Sequence, residues 1–535
     1  MTSFWETSTI PLSSKLLRFR EDGDLLRILS RMTLASSINL QTSLILAVIF
    51  LSTVVLYRLY FHPLAKLPGP PLAAITGLYR TYLYYRGDWH DQVLKIHQKY
   101  GRVVRIAPNE VSAVELAAMK QLYGHGKSAK KTTWYDVWHV PNASEAFFAV
   151  QDQKKHASLR KRVSAAYSMT AILRVEQYIQ SCLDLCFAKL QTQAEEGEVI
   201  DLSKWANAFS FDVVGELAFG QKLGHLEANG EDVDNLRESI RIGFMFGAVM
   251  GNIPGKTKWV MNPVFSAAVE LFGGTNGLEK LKSFSHAKIA ARKEARDGAN
   301  REDLLSHFLK MKKVDGPEPA SFGEVLIEAM NIVGAGADTT SIGIRTCLYY
   351  ICTHPQVYKQ LQEEVDSFYE ANNLDSPITY TQTQQLTYLR AVVTEALRLL
   401  PSIVWPLLRY SPGLTIDGRY IPEGVEIGIS PIAQNRDTAV FGDDASEFRP
   451  ERWLESAERT SFMESGNMTF GGNGPRTCIG RNLALVEVHK FVAQMLRNFD
   501  IELANKKTPW RISSYWFCNQ LDMKVLIKPR ACSKI

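Results

Sequence analysis

The chain has 535 residues, of which 46% are hydrophobic and 22% charged, and its formal net charge is +5. This composition is that of an ordinary globular protein, so it excludes a disordered, collagen-like or coiled-coil chain. The basic excess is small and scattered, which argues against a nucleic-acid-binding protein.

The N-terminal part contains a stretch that is long enough to span a membrane. No charged residue occurs from Met32 to Tyr57, and residues 44–57 are almost wholly apolar. About 20 helical residues cross a bilayer core, and no small-residue cleavage site follows that would indicate a signal peptide. A buried core helix is the alternative. The sequence predicts an N-terminal tail over 1–37 and one transmembrane helix over 38–57.

A proline-rich segment follows the predicted membrane span. Residues 62–71 read HPLAKLPGPP and contain four prolines. Proline excludes helix and stiffens an extended chain. The sequence therefore predicts a rigid stalk over 58–71, which holds a body of residues 72–535 off the membrane.

The body shows no second linker and no internal repeat. Long stretches carry apolar residues at helical spacing, whereas strand-like stretches are short and grouped. We predict helices over 323–353, 354–371 and 384–400, and strands over 102–106, 415–416, 419–420, 425–429 and 523–527. This is a mainly α body with a minor β-sheet region, unlike the strand–helix alternation of a doubly wound nucleotide-binding fold.

Small residues surround an acid and an alcohol within the first of these helices, in the segment AGADTT over 335–340. Gly334 to Thr339 is also a possible dinucleotide fingerprint, but it lacks a preceding strand and a third small residue. Asp338 and Thr339 supply a carboxylate and a hydroxyl that can relay protons. Hydrogen bonding within the helix is the plain alternative.

The most specific motif is the glycine-rich segment 470–487, which places Cys478 at the start of an amphipathic helix. Glycines permit close backbone approaches, and a helix N-terminus stabilises a thiolate. Such a thiolate, with Arg476 two residues before it, is suited to axial ligation of haem iron. A buried structural cysteine is the alternative. The seven cysteines form no CxxC pair or zinc-spaced cluster, which indicates a reducing compartment.

This segment resembles the haem-thiolate signature F-x-x-G-x-R-x-C-x-G of the cytochromes P-450. Gly474, Arg476, Cys478 and Gly480 are in register, whereas Phe470 lies one position too far from the cysteine. The extra residue leaves the usual packing role of Phe470 open.

Three further segments resemble elements of the same family and occur in its order. Segment 335–340 matches the oxygen-binding helix, Glu395 and Arg398 match an E-x-x-R element, and 448–453 resembles F-x-P-E-R-F. In its general sequence features, the chain resembles the fungal membrane-bound members of the family most.

The resemblance implies the P-450 fold with an N-terminal transmembrane helix, and a haem-thiolate monooxygenase activity. Haem b is implied as cofactor, with Cys478 as the metal ligand and with Asp338 and Thr339 as catalytic residues. Segment 156–162 resembles W-x-x-x-R, with His156 in place of Trp. The residues implied on the cofactor side are Arg160, Gly474, Arg476, Gly480, Glu395, Arg398 and Arg452.

The implied partners are dioxygen, a hydrophobic small-molecule substrate and a membrane. Nothing in the chain resembles a flavin or nicotinamide domain, so electrons are expected from a separate NADPH–cytochrome reductase. Arg476, Arg481, His489 and Lys490 are predicted to form a basic docking surface for it. An ordinary solvated face is the alternative for these four residues.

Charge counting and electron supply predict opposite membrane orientations. Four arginines precede the predicted span, which favours a cytoplasmic N-terminus. Access of the reductase requires a cytosolic body instead, and we follow that requirement. The expected location is the endoplasmic reticulum membrane, single-pass, with a cytosolic catalytic domain. A tail on the cytoplasmic surface with a re-entrant segment is the alternative. The four arginines are Arg18, Arg20, Arg27 and Arg31.

The segments expected to line the substrate site are largely apolar or aromatic. This favours oxidation of a hydrophobic terpenoid, polyketide, alkaloid or fatty acid, as in secondary metabolism. An isomerase or dehydratase of the same fold is an alternative that the pair Asp338–Thr339 disfavours. A non-catalytic membrane-anchored haem-binding sensor is another. The segments are 136–146, 244–249, 330–333, 403–407 and 515–517.

Overall fold

The computed structural model describes residues 22–126, 129–139, 143–255, 262, 264, 277–294, 301–314, 316–507 and 510–530. Side chains are described from residue 39 onward, except at 277 and 278. The chain divides after His62 into two compact units, which we describe separately. Residues 1–21 of the predicted tail and 140–142 of the first predicted substrate segment lie outside the described residues.

The described part of the N-terminal unit is one long helix. Helix α1 covers Asp22–Leu56 and continues as a π-helical turn over Tyr57–Phe61. Residues Asn39–Phe61 are long and apolar enough to cross a membrane, and 0% of that window is buried inside the protein. A core helix would be buried, so this alternative is wrong. The apolar helix also extends beyond the predicted end at residue 57.

The helices of the second unit are distributed from Pro71 to Asn498. They are α2 (Pro71–Ile75), α3 (Leu78–Tyr85), α4 (Trp89–Tyr100), α5 (Leu116–Tyr123), α6 (Gln153–Ser164), α7 (Met169–Arg174), α8 (Glu176–Glu195), α9 (Leu202–Phe219), α10 (Leu236–Met250), α11 (Gly277–Glu294), α12 (Leu304–Leu309), α13 (Phe322–Thr353), α14 (Pro355–Ala371), α15 (Tyr380–Thr383), α16 (Thr387–Leu399), α17 (Pro431–Gln434), α18 (Thr438–Phe441), α19 (Ala457–Gly466) and α20 (Arg481–Asn498).

The strands are short and form small sheets. They are β1 (Val103–Ala107), β2 (Glu110–Ala113), β3 (Val199–Asp201), β4 (Arg409–Tyr410), β5 (Leu414–Ile416), β6 (Arg419–Ile421), β7 (Glu426–Ile429), β8 (Phe499–Leu503), β9 (Arg511–Ser514), β10 (Cys518–Leu521) and β11 (Lys524–Pro529). The largest described sheet has the order β1-β2-β7-β4, in which only β2 and β7 pair in parallel. The others have the orders β3-β11-β8, β5-β6 and β9-β10.

The proline-rich segment packs on the second unit instead of standing away from it. Leu64 is fully buried in the apolar cluster that contains β1. The Pro68 carbonyl accepts a hydrogen bond from Arg105 N at 2.8 Å, and a Cβ on Gly69 would lie 2.3 Å from Arg105 O. A stalk over the whole of 58–71 is therefore wrong, because an apolar side chain and backbone hydrogen bonds join residues from Leu64 onward to the body.

Helix α13 runs through the main apolar core. Its N-terminus is fixed by a reciprocal capping box between Ser321 and Glu324. A Cβ on Gly343 would lie 3.2 Å from Leu397 and 3.4 Å from Val488, so α13 packs closely on α16 and α20. The dinucleotide interpretation is wrong, because the segment from Gly334 lies inside this helix and the described residues 316–321 before it contain no strand.

Helix α13 also buries a carboxyl group whose pKa is strongly shifted. Glu328 is 0% exposed, its Oε1 has no hydrogen-bond partner in the described part of the chain, and Arg162 Nη2 lies 3.9 Å away. Burial raises the pKa of Glu328 to about 7. The native state therefore keeps a proton that the unfolded chain releases above pH ~4.3.

We expect this proton to make the protein less stable as the pH rises from about 4.5 to about 7. Because the native pKa lies above the unfolded one, the Glu328 contribution to the free energy of unfolding falls by about 2–3 kcal/mol across that window. Urea unfolding of the wild type and of Glu328→Gln at pH 5.0 and 7.5 measures it. The variant should lose that part of the pH dependence, whereas Glu363→Gln, an exposed change on α14, should keep it. An unchanged dependence in Glu328→Gln contradicts the assignment.

Candidate active site

The glycine-rich segment places Cys478 just before the first turn of α20. Backbone N–H groups of Gly480 and Arg481 face its sulfur, and a Cβ on Gly480 would lie 3.9 Å from Sγ. Burial raises the pKa of the Cys478 thiol, and these N–H groups and Arg160 act in the opposite direction. Of the six described cysteines, Cys478 alone is exposed. An exposed sulfur surrounded by protein indicates that it faces an internal cleft.

The extra residue in this segment is absorbed by two glycines. Gly471 and Gly472 both adopt positive φ angles, of 82° and 78°, which other residues rarely adopt. Cys478 N can therefore still donate a hydrogen bond to Phe470 O, at 2.9 Å. The Phe470 ring packs against the main core, so the one-residue shift does not remove its packing role.

Gly474 is the position in this segment with the least space for a side chain. A Cβ there would lie 1.8 Å from Tyr123 O, a backbone atom that cannot rotate away. The carbonyl belongs to the C-terminal end of α5. The segment that carries Cys478 is therefore fixed by direct backbone contact with a neighbouring helix.

We expect Gly474→Ala to destabilise the fold by about 2 kcal/mol or more, because the backbone of the segment must move. Thermal unfolding monitored by circular dichroism measures the loss. The matched control is Gly247→Ala on α10, whose added methyl would make an ordinary contact of 3.7 Å with Trp138 and should leave stability equal or higher. Equal melting temperatures for Gly474→Ala and the wild type would contradict the prediction.

The small residues of α13 form an accessible patch in the middle of an otherwise buried helix. Ala335 is exposed and Gly336 and Thr339 are half-buried, whereas Ala337 and Asp338 on the other side are buried. Thr339 Oγ1 donates a hydrogen bond to Ala335 O at 2.6 Å. The side chains of Asp338 and Thr339 therefore diverge, and the helix presents the alcohol, not the acid, to the open side.

One short segment connects this patch with the Cys478 segment. Ser402 Oγ donates to Thr339 O at 2.7 Å, and a Cβ on Gly471 would lie 3.5 Å from Leu407 Cδ1. Five residues of extended chain span at most about 18 Å. The α13 patch and the cysteine segment are therefore close enough to be walls of one cleft.

The carboxyl of Asp338 points to α9 and joins a polar chain there. Asn207 Nδ2 donates to Asp338 Oδ1 at 2.8 Å, and Arg237 Nη1 donates to Asn207 Oδ1 at 3.1 Å. Burial raises the pKa of Asp338, and the Asn207 hydrogen bond opposes this shift. The sequence analysis missed Asn207, because its contact with Asp338 depends on how α9 packs against α13.

Basic side chains from separate elements converge at another side of the cleft. Burial and neighbouring positive charges lower the pKa of His156 to about 3 and hold that of Lys131 well below its usual range. Burial, together with the positive charge of Arg409, lowers the pKa of Arg476 to about 10. This basic cluster consists of Lys131, His156, Arg160, Arg409 and Arg476. The positive charges of these residues repel one another, and an anion bound among them would reduce that repulsion.

The side chains around the cleft fit a haem, the cofactor that the sequence predicts. Nη1 and Nη2 of Arg476 are buried and have no hydrogen-bond partner among the described residues. A guanidinium left without partners in a positive field suits a carboxylate, such as a porphyrin propionate. The accessible Cys478 sulfur supplies the donor that haem iron takes. Lys131 and Arg409 were missed, because no local pattern around either residue indicates a contact with Arg476.

Glu395, Arg398 and Arg452 meet in one fully buried network. Arg398 Nε and Nη2 donate to the two oxygens of Glu395 at 2.8 and 2.7 Å. Arg452 Nε donates to Glu395 Oε1 at 2.8 Å, and Trp453 Nε1 donates to Oε2 at 2.9 Å. All three charged residues are 0% exposed. The network is complete, since Glu395 uses both oxygens and each guanidinium has further backbone acceptors.

This network is connected to the start of the cysteine segment through Asn435. Its Nδ2 donates to Arg398 O at 2.9 Å, and its Oδ1 accepts from Met468 N at 2.7 Å. Thr469 Oγ1 donates to Leu397 O at 3.2 Å. The network of Glu395, Arg398 and Arg452 is therefore joined to the segment by hydrogen bonds, while its three charged side chains are fully buried.

The interpretation of two basic residues needs correction. His489 and Lys490 are 4% and 2% exposed, and Lys490 is paired with Glu176, so neither can contribute to a docking surface. They face inward because α20 packs on α8 and α15 on that side. Arg481 alone of the four predicted docking residues is exposed.

Comparisons with known proteins agree with this geometry. The family described as Cytochrome P450 matches residues 67–527. Pisatin demethylase of Fusarium vanettenii is 32% identical over 487 residues, which cover 89% of this chain and 91% of that protein. Cytochrome P450 monooxygenase gsfF of Penicillium aethiopicum is 32% identical over 488 residues, with coverages of 89% and 95%. Cytochrome P450 monooxygenase cicH of Emericella nidulans is 32% identical over 496 residues, with coverages of 90% and 97%.

Proposed function

We infer that this chain, which belongs to the cytochrome P450 family, holds haem b through the Cys478 thiolate and oxygenates an apolar small molecule. The family implies a haem with a cysteine thiolate ligand, and the chain is a haem-thiolate monooxygenase like its fungal relatives. The observation that carries the residue assignment is the exposed Cys478 together with Nη1 and Nη2 of Arg476, which are buried without a hydrogen-bond partner among the described residues. Residues 402–407 link the segment that carries both to the α13 patch.

The basic cluster would bind the propionates of the haem. Arg476 and Arg160 supply guanidinium groups that can donate two hydrogen bonds each to a carboxylate. Arg409 is already held by Tyr135 Oη at 2.8 Å, so it adds positive charge from a fixed place. When bound, the haem supplies dioxygen activation and oxidising chemistry, to which thiolate ligation contributes electron density.

The α13 patch would order the proton supply on the reacting side of the cleft. Thr339 holds a hydroxyl proton at the accessible surface, and Ala335 and Gly336 leave space for small molecules beside it. The buried Asp338 carboxyl holds a proton more readily than a solvated one, because its pKa is raised. Asn207 donates to the Asp338 carboxyl and accepts from Arg237 of α10, so this hydrogen-bonded chain holds the acid in a fixed position behind the helix.

We expect Asn207→Leu to lower the turnover number by about tenfold or more, because the Asp338 carboxyl loses the hydrogen bond that positions it for proton transfer. Substrate binding should stay unchanged, since Asn207 lies behind the helix. Steady-state kinetics in H2O and D2O measure both effects, and the solvent isotope effect should rise. In an Asp338→Asn background the Asn207 change should add little. Additive losses in the double variant would show that Asn207 does not act through Asp338.

Electrons are proposed to come from a separate NADPH–cytochrome reductase. The exposed Arg481 next to the Cys478 segment is the remaining candidate for electrostatic guidance there. The apolar helix Asn39–Phe61 supports a membrane anchor, and we propose the endoplasmic reticulum membrane with a cytosolic body.

Labelled dioxygen tests the activity directly. The full-length protein, combined with NADPH–cytochrome reductase and NADPH, should incorporate one labelled oxygen atom into its product. A product formed without NADPH, or without label, would favour an isomerase or dehydratase. A strongly red-shifted Soret band of the reduced, carbon-monoxide-bound protein should accompany the activity, and its absence would overturn thiolate ligation.

A further inference from the structure

Aromatic side chains from separate segments form one continuous wall in the second unit. Ring centroids of neighbours are close, with Trp138–Trp516 at 5.0 Å, Trp138–Phe244 at 5.5 Å and Phe244–Phe517 at 5.0 Å. The aromatic wall consists of Trp134, Trp138, Phe148, Phe244, Trp516 and Phe517. Most of these residues belong to segments that the sequence predicts to line the substrate site.

The aromatic wall adjoins the catalytic cleft at two places. A Cβ on Gly334 would lie 3.1 Å from Cζ of Phe244, so this ring lies on α13 next to the exposed Ala335. Phe517 forms a β-bridge with Ile403, the residue after the Ser402 that binds the Thr339 carbonyl. The wall therefore reaches the α13 patch from α10 and from the turn between β9 and β10.

The other end of the wall reaches the basic cluster. The Trp134 ring lies 5.0 Å from the ring of Tyr135, whose hydroxyl accepts a hydrogen bond from Arg409 at 2.8 Å. A ligand that lies along the wall is therefore confined between the cations of the basic cluster and the reactive face of α13.

The wall also contains a hydrogen-bond donor that has no acceptor. Trp138 is 8% exposed, and its Nε1 is buried without a partner among the described residues. Buried indole N–H groups usually have an acceptor, so a partnerless one beside a cleft indicates that a ligand supplies it. Among the described residues, Trp89 and Trp405 also carry N–H groups without a partner. The Trp405 ring contacts the wall at Trp516, with centroids 6.1 Å apart, whereas no ring contact joins Trp89 to a residue of the wall in the described part of the chain.

We propose that the substrate is a flat, polycyclic aromatic molecule whose carbonyl oxygen accepts a hydrogen bond from Trp138 Nε1. This inference rests on the proposed function. Rigid aromatic rings offer π faces and edges that pair favourably with other rings, whereas a flexible alkyl chain gains only burial and loses more conformational freedom. The N–H then selects, among flat molecules, those with an acceptor at the matching edge.

Binding of three probes to the full-length holoprotein tests the proposal without turnover. Xanthone is flat and carries a carbonyl, xanthene has the same ring skeleton without the carbonyl, and dodecanoic acid is aliphatic. Dissociation constants come from equilibrium dialysis and from the ligand-induced shift of the Soret band. We expect xanthone to bind at least about tenfold more tightly than dodecanoic acid. Equal or tighter binding of dodecanoic acid overturns the proposal.

Two matched variants separate the hydrogen bond from the stacking. Trp138→Phe keeps a ring but removes the N–H, so xanthone binding should weaken by about fivefold while xanthene binding stays within about twofold. Trp89→Phe removes a partnerless N–H elsewhere and should change neither constant. Equal losses for xanthone and xanthene in Trp138→Phe overturn the assigned donor. If that variant does not retain haem, the comparison of probes on the wild type still decides the substrate class.

Failure of this proposal is distinguishable from failure of the proposed function. A preparation with the red-shifted carbon-monoxide spectrum and labelled-oxygen incorporation that prefers the aliphatic probe contradicts only the aromatic substrate. A preparation without that spectrum contradicts the Cys478 assignment before any probe is added.

Discussion

Replacing Cys478 by alanine is expected to abolish the red-shifted carbon-monoxide band and to lower NADPH-dependent oxygenation by at least about 100-fold. The sulfur is the accessible donor at the N-terminus of α20, and no other described cysteine is exposed. Because a methyl group cannot coordinate iron, the haem would be held through the basic cluster alone. Haem content per protein, the reduced carbon-monoxide spectrum and labelled-oxygen incorporation measure the three effects.

The matched control is Cys352→Ala. Cys352 is a half-buried cysteine near the end of α13, away from the accessible patch, and its replacement removes a thiol without touching the cleft. Spectrum and activity should remain those of the wild type. A Cys478→Ala protein that kept its full haem content and the red-shifted band would show that another group binds the iron, and the central assignment would be wrong.

The second large effect is expected at Glu395, which compensates two buried guanidinium groups. In Glu395→Ala the side chains of Arg398 and Arg452, both 0% exposed, lose their shared carboxylate, and the Trp453 N–H loses its acceptor. Leaving buried charge uncompensated costs about 3–5 kcal/mol. We therefore expect the free energy of unfolding to fall by that amount in urea denaturation, with loss of haem retention.

A control on α14 removes an ion pair of the same type from a solvated position. Glu363 lies 3.8 Å from Lys359, and the side chains are 65% and 79% exposed. Glu363→Ala should change stability by no more than about 0.5 kcal/mol, because water already solvates both charges. If Glu395→Ala does not accumulate, Glu395→Gln keeps the shape of the side chain and should still lose most of the stability. A Gln variant as stable as the wild type would contradict the argument.

The network of Glu395, Arg398 and Arg452 is expected to have two roles, one in stability and one in positioning the segment that carries Cys478. A solvated pair would give little stability, whereas here the full enclosure makes each missing partner costly. Its hydrogen bonds through Asn435 and Thr469 end on the segment that carries Cys478. Loss of haem in a Glu395 variant would thus follow from a displaced segment, and not from a lost contact with the cofactor.

The sequence determined the family, the reaction class and the main helices. The cysteine segment, the acid–alcohol pair and the E-x-x-R element are local patterns, so they can be read without tertiary structure, and the cytochrome P450 match confirms the resemblance. The helical spacing of apolar residues over 323–353 correctly predicted the helix Phe322–Thr353. The apolar stretch near the N-terminus predicted a transmembrane helix with a buried core helix as the alternative, and the structure has a helix there, Asn39–Phe61, that is long and apolar enough to cross a membrane and is 0% buried.

Tertiary structure alone decided which side chains share the cleft. Lys131, Arg409 and Arg476 are far apart in the chain, and nothing local indicates that their charges meet. The same holds for Asn207, which reaches Asp338 only because α9 lies against α13. Burial also reversed the interpretation of Lys490, because sequence shows its charge but not the helix packed over it. Contacts between distant segments depend on packing geometry, and a one-dimensional pattern does not contain it.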